Sequence, residues 1–210
     1  MQSTFTLVRG DEAIGRIELP MPGRHLVINS LAAIAVGLEF GVPMPQIIEA
    51  LANFAGVRRR LEIVGEADSI TVINDYAHHP TEIRATLAAL RDGFGPEVRV
   101  HCAFQPHRYS RTQFCFAQFL DCFNACDTVV ITEIYAAGEQ PIESVSGRSL
   151  CDAINHPNKI FAERFDDVVA EITNVAKPND IVVFLGAGSI GSLAERFSDS
   201  IRGPLIERRR

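Results

Sequence analysis

Lysine is nearly absent: only Lys159 and Lys177 occur among 210 residues, so arginine supplies almost all of the positive charge. The formal net charge of −6 argues against a nucleic-acid-coating surface, which needs a basic balance. No apolar run approaches the ~20 residues of a membrane span. Met1 is not followed by the basic, apolar and small-residue pattern of a secretory signal, so a cytoplasmic location is expected. Five cysteines are an odd number without secretory context, which excludes a disulfide framework as the expectation. Cys115, Cys122 and Cys126 recur at helical spacing without a zinc-type pattern, and read as buried small apolar side chains. The basic tail Glu207–Arg210 reads as a solvated end.

What is present is a globular composition, 47% apolar and 22% charged, enough for a real core. The opening TFTLVRGDEAIGRIELPMPG predicts a hairpin around a glycine turn. HLVINSLAAIAVGLEFG predicts an apolar helix stopped by Gly41, and VPMPQIIEALANF a second helix opened by Pro43 and Pro45. This first block ends near Arg60.

The rhythm then changes. SITVIND, EVRVHCAF, DTVVITEI, NKIFAE and NDIVVFLG are apolar, β-branched runs of strand length. TEIRATLAALRD, RTQFCFAQFLDCFNAC, GRSLCDAINH, FDDVVAEITNVAK and IGSLAERFSDSI carry helical patterns between and after them. The alternation predicts an α/β domain with a doubly wound, mostly parallel sheet. Ligands in such sheets bind beyond the carboxyl ends of the strands. That rule singles out four loops: NDYAHHPTE, FQPHRYSRT, EIYAAGEQP and GAGSIG.

In FQPHRYSRT, Arg108 and Arg111 share one face at the start of a helix, where guanidinium forks and free N–H groups suit a carboxylate or phosphate. Surface pairing with Asp121 or Glu133 is the alternative. In NDYAHHPTE, a histidine could accept a proton from an amine, and Asp75 could meet a magnesium ion or a nucleotide hydroxyl. DxxHH lacks a third zinc ligand. GAGSIG matches G-x-G-x-x-G, but no strand follows it and the acidic Glu207 falls in the tail. Close backbone packing at the sheet edge is the expectation there, not a dinucleotide site. Arg58, Arg59 and Arg60 sit at the joint between the blocks, either as a solvated charge run or within reach of a ligand. Asn29, in the first long helix, could read a base edge or be satisfied locally.

In order, GRHLVINSLAAIAVGLEFGV, GVRRRLE, NDYAHHPTE, FQPHRYSRT, EIYAAGE and GAGSIG resemble the Mur ligases of peptidoglycan synthesis along nearly the whole chain. FQPHRYSRT and DYAHHPTE are the specific parts. The resemblance implies an ATP- and Mg2+-dependent amide ligase that joins L-alanine to UDP-N-acetylmuramate through an acyl phosphate. It implies that residues 1–60 are the end of a central ATP-binding domain and 61–210 a Rossmann-like C-terminal domain. His107, Arg108 and Arg111 would then hold the alanine carboxylate, with Tyr76 and His78 in the same pocket and His78 as the catalytic group. Asp75 would face the nucleotide, Asn29 the adenine and Arg60 the ribose or phosphates. No Gly-Lys pair exists to form a phosphate-binding loop. The expectation is therefore a piece of a ligase, inactive alone, lacking its sugar-nucleotide and phosphate-loop domains. A stand-alone amino-acid-binding or partner-dependent module, and a related ligase that recycles murein tripeptide, are the competing expectations.

Overall fold

The computed structural model describes residues 2–67 and 69–201, so the basic tail and Glu207 lie outside the described residues. Two compact units emerge: residues 1–57 with 88–96, and residues 58–87 with 97–210.

In the first unit, β1 (Ser3–Arg9) pairs antiparallel with β2 (Glu12–Leu19). Gly10, at φ 62°, turns the chain between them, a conformation that glycine adopts without steric cost. Two helices follow, α1 (Arg24–Glu39) and α2 (Met44–Ala52). Gly41 ends α1 at φ 73°, and Val42 N–H closes the turn by donating to the Gly37 carbonyl at 2.9 Å. Pro43 is the N-cap of α2, with Pro45 inside the first turn, where their missing N–H groups cost little. Ile17, Ile34 and Ile47 form the small core, with Phe5, Leu7 and Met44 packed against it. Apolar side chains remain on the surface of α1 and just beyond it, including Ile28 at 55%, Val36 at 58% and Phe40 at 83% exposure.

The second unit is built on six strands in the order β3-β4-β8-β5-β6-β7. They are β3 (Glu62–Ala67), β4 (Ile70–Asp75), β5 (Val100–Phe104), β6 (Thr128–Ile131), β7 (Lys159–Phe161) and β8 (Ile181–Leu185). All neighbours are parallel except β3 and β4, which form an antiparallel hairpin with an irregularity between Ile63 and Gly65. Strands β5, β6 and β8 are buried at every position, as sheets covered on both faces require. The helices are α3 (Pro80–Phe94), whose residues from Ala88 on fall in the first unit, α4 (Tyr109–Phe114), α5 (Phe116–Phe119), α6 (Gly147–Ala153), α7 (Phe165–Val175) and α8 (Ile190–Ile201). Val72, Val130, Val182 and Phe184 on the sheet meet Val168, Ile172, Leu193 and Phe197 from the helices in one core.

Patterning missed one strand and overran one helix. EIVGEA, which no pattern singled out, is an edge strand that completes the hairpin, pairing Ile63 with Ile73 and Glu66 with Thr71. The long helix expected from Arg111 to Cys126 is interrupted at Cys115 and runs no further than Phe119. Beyond it the chain tightens into three-residue turns, with Cys122 N–H donating to Phe119 and Cys126 N–H to Phe123, while Asn155 N–H takes the Leu120 carbonyl. Cys115, Cys122 and Cys126 are nevertheless all buried.

No described helix is long and apolar enough to cross a membrane.

Candidate functional site

Strand β8 lies between β4 and β5, so the chain leaves β4, passes through α3 and skips one strand position before returning at β5. Crevices of this kind open at the carboxyl ends of the strands. The loops after β4, β5, β6 and β8 meet there, through Tyr76, His78, His107, Tyr135 and Gly188.

The loop after β4 is organised by two carboxylates. Asp75 is 3% exposed. Its oxygens accept N–H bonds from Leu61 at 2.7 Å and Ala77 at 2.8 Å, and the Thr86 hydroxyl at 3.3 Å. Burial pushes the Asp75 carboxyl up, against those N–H groups and the Arg60 charge, which pull it down. The expected nucleotide-facing role gains nothing from this geometry, since both oxygens are turned into the loop. Glu82, three residues past the N-cap of α3, accepts N–H bonds from His78 at 3.0 Å and His79 at 3.1 Å. Half a capping box results.

The same contacts settle the histidine tautomers. His78 Nδ1 lies 3.0 Å from the Tyr76 carbonyl and 3.3 Å from Glu82 Oε2. Both oxygens only accept, so Nδ1 carries hydrogen and the neutral ring presents Nε2 as a lone pair. His107 is the reverse: its Nδ1 accepts from Arg111 Nη1 at 3.0 Å, which leaves hydrogen on Nε2. Burial, then the charges of Arg111, of His78 whenever that ring is protonated, and of Arg108, push the His107 imidazole down. The two rings stand 5.8 Å apart between centroids. One therefore offers an acceptor and the other a donor, side by side.

Arg108 and Arg111 flank this pair. Arg108 has φ 74° and ψ 137°, an unusual backbone for a side-chain-bearing residue. Its N–H donates to the Tyr135 carbonyl at 2.8 Å, and its own carbonyl accepts from Thr112 N–H at 3.1 Å and Thr112 Oγ1 at 2.9 Å. Strain of this kind costs about 1–3 kcal/mol and persists only where surrounding bonds enforce it. The guanidinium is half-exposed, with Glu139 Oε1 at 4.0 Å. Glu139 is itself occupied by the Ser110 hydroxyl at 2.6 Å and the Ser110 N–H at 2.9 Å. The alternative partners do not engage: Asp121 accepts from Asn155, and Glu133 from the N–H groups of Ile134 and Gly147.

Sequence reasoning missed Tyr135 and Gln105 and left the part of Arg59 open. Tyr135 stacks on His107 at 5.5 Å with an 18° interplanar angle. Its place in EIYAAGE, after a strand, was the available signal. Arg59 donates Nη2 hydrogens to the Gly186 carbonyl at 2.6 Å and the Gly188 carbonyl at 3.2 Å, tying the β8 loop to the loop before β3. Gln105 receives the Ile190 N–H at 3.1 Å. These contacts also explain GAGSIG, though β8 is central and not at the sheet edge. A Cβ on Gly188 would come within 2.7 Å of Tyr135 Cγ, and one on Gly191 within 3.0 Å of Arg59 Nε.

Among the nucleotide candidates, Arg60 is exposed with its guanidinium 5.5 Å from the Tyr76 ring centre. Asn29 is exposed on α1, in the first unit, and the site just described contains no part of it.

A doubly wound domain with its polar groups gathered on strand-end loops defines a class of ligand-binding α/β domains. Comparison narrows it. Residues 59–188 match the family described as Mur ligase, glutamate ligase domain. The UDP-N-acetylmuramate–L-alanine ligase of Desulforapulum autotrophicum is 46% identical over 91% of this chain and 42% of its own length. That of Geobacter sulfurreducens is 47% identical over 88% of this chain and 40% of its own. The crystal structure of the UDP-N-acetylmuramate–alanine ligase of Thermotoga maritima superposes with a TM-score of 0.77 at 28% identity, covering 95% of this chain and 43% of that one. The chain belongs to the Mur ligase family. It spans less than half the length of these relatives.

Proposed function

We propose that the chain is the carboxyl-terminal part of an ATP-dependent amide ligase that joins L-alanine to UDP-N-acetylmuramate in peptidoglycan synthesis. Residues 61–210 present the amino acid, residues 1–60 end a central ATP-binding domain, and the chain alone does not ligate. The observation that carries this reading is the paired polarity of the histidines. An α-amino acid presents a carboxylate and an amine two bonds apart. His107 Nε2–H with Arg108 and Arg111 suits the carboxylate, and the His78 Nε2 lone pair, steadied by Glu82 behind it, suits the amine.

ATP with magnesium, when bound, supplies the phosphoryl group that activates the muramyl carboxylate as an acyl phosphate. This chain's residues then orient and deprotonate. The arginines and His107 hold the alanine carboxylate away from the reacting carbon. His78 Nε2 takes a proton from the amine as it becomes a nucleophile. Positioning of this kind turns a bimolecular attack into a local one. Arg60 fits a nucleotide phosphate or ribose, and Asn29 a base edge. The phosphate-cradling loop belongs to the remainder of the polypeptide, and a cytoplasmic location follows from the nucleotide substrates.

The test uses the full-length polypeptide and ATP-dependent incorporation of labelled alanine. Arg111→Ala removes both a carboxylate contact and the donor that sets the His107 tautomer. Its kcat/KM for alanine should fall about 100-fold or more, some 2.7 kcal/mol, with KM for ATP unchanged. Near-normal alanine kinetics in that variant would refute the assignment.

A further inference from the structure

At the opposite edge of the sheet, where β5, β6 and β8 begin, a cavity of about 610 Å³ opens on the second unit. Arg99, His101, Asp127, Thr128, Asn174 and Lys177 are among its lining residues. His101 is 2% exposed, yet its Nδ1 has no hydrogen-bond partner. Such orphaned atoms are rare in folded proteins, and each calls for a reason.

The surroundings are otherwise closely paired. Asp180, 5% exposed, accepts Arg99 Nε at 3.1 Å, Arg99 Nη2 at 2.6 Å, His101 Nε2 at 3.0 Å and the Lys177 N–H at 2.7 Å. A carboxylate only accepts, so His101 Nε2 carries the ring hydrogen and Nδ1 of the neutral ring is a lone pair. The ring is thus held on one nitrogen by a carboxylate and left buried without a partner on the other. Its lone pair requires an O–H or N–H donor. Asp127, whose Oδ2 accepts the Val100 N–H at 2.7 Å, adds a carboxylate suited to hydroxyls and hostile to a bare anion. Positive charge lies on the other side: Arg99 keeps its Nη1 hydrogens outside the Asp180 pairing, and Lys177 is exposed. Hydroxyl acceptors and cationic donors therefore line one cavity.

None of these groups belongs to the loop cluster, since His101 and Phe104 lie toward opposite ends of β5, about 10 Å apart at the rise of an extended strand. We propose that the cavity is a second binding site, for a small phosphorylated polyol, with a hydroxyl donating to His101 Nδ1 and the phosphate meeting Lys177 and Arg99.

The test is NMR titration of the full chain carrying isotope-labelled histidine, with glycerol phosphate and a hexose phosphate as probes and inorganic phosphate and glycerol as controls. Either phosphorylated probe should move the His101 Nδ1 resonance saturably, and more tightly than both controls. Lys177→Ala, an exposed substitution that leaves the fold alone, should raise the Kd about tenfold, or 1.4 kcal/mol. The proposal is overturned if neither probe gives a saturable shift at His101. It is overturned equally if Lys177→Ala binds as the parent does, or if inorganic phosphate binds as tightly as both probes, which marks a counterion contact only.

Discussion

Arg108 and the two site histidines owe their chemistry to neighbours rather than to their own side chains. The left-handed backbone of Arg108 is enforced by the Tyr135 carbonyl on its N–H and by Thr112 on its carbonyl. Opposite tautomers at His78 and His107 follow from an acceptor pair beside one Nδ1 and a donor beside the other. Glu82 is the residue where this organisation is measurable. Burial pushes its carboxyl up, but the N–H groups of His78 and His79 and the charges of His78 and Arg60 outweigh that and hold it below 4.5. A depressed folded-state value means that the unfolded chain takes up the proton first. Stability from Glu82 is therefore complete above pH 4.5 and lost as pH falls through the folded value. Glu82→Gln should cost about 1 kcal/mol at neutral pH, allowing for solvent screening of a partly exposed group. Below pH 4.5 its urea midpoint should decline less steeply than the parent's. Parallel declines would show that Glu82 does not organise the loop.

Among the elements, α6 shows how closely the loops are packed. Its capping box joins Ser146 and Ser149 reciprocally, and Glu133 Oε1 accepts the Gly147 N–H at 2.9 Å. A Cβ on Gly147 would overlap the Thr132 carbonyl oxygen and sit 2.9 Å from Glu133 Cα. Both are backbone atoms that cannot step aside. Gly147→Ala should destabilise by about 3 kcal/mol, read from denaturant midpoints, whereas an unaffected midpoint would mean that the β6–α6 connection yields easily. Element type was legible wherever apolar runs were long: β4, β5, β6 and β8, and helices α7 and α8 fall inside the segments that patterning picked out, and α3 overruns its segment by one residue at the start and two at the end. It failed at EIVGEA, where Gly65 and two glutamates blur the alternation that pairing with β4 resolves. It failed again after Cys115, where no local stop signal exists and the Leu120 carbonyl is claimed by Asn155, distant in sequence.

For the molecule as a whole, the second unit carries a self-sufficient core. Val72, Ala103, Val130, Val182, Phe184, Leu193 and Phe197 are all buried within residues 58–87 and 97–210. A fragment beginning at residue 58 should therefore unfold in one cooperative transition, with calorimetric and van't Hoff enthalpies equal. Loss of that transition would place essential packing in residues 1–57. Periodicity and turn residues, which act over a few neighbours, by themselves determined the α/β class, the parallel sheet and the four loops worth watching. They also brought Arg108 and Arg111 forward, and the resemblance to the Mur ligases added Tyr76, His78 and His107 to make a set. Strand order, the antiparallel edge, the inward turn of Asp75, the choice of Arg59 as the tie to Gly186, and Tyr135 as the ring beneath His107 were decided only in three dimensions. Each depends on which distant segment supplies a donor, an acceptor or a surface, and no local pattern encodes that.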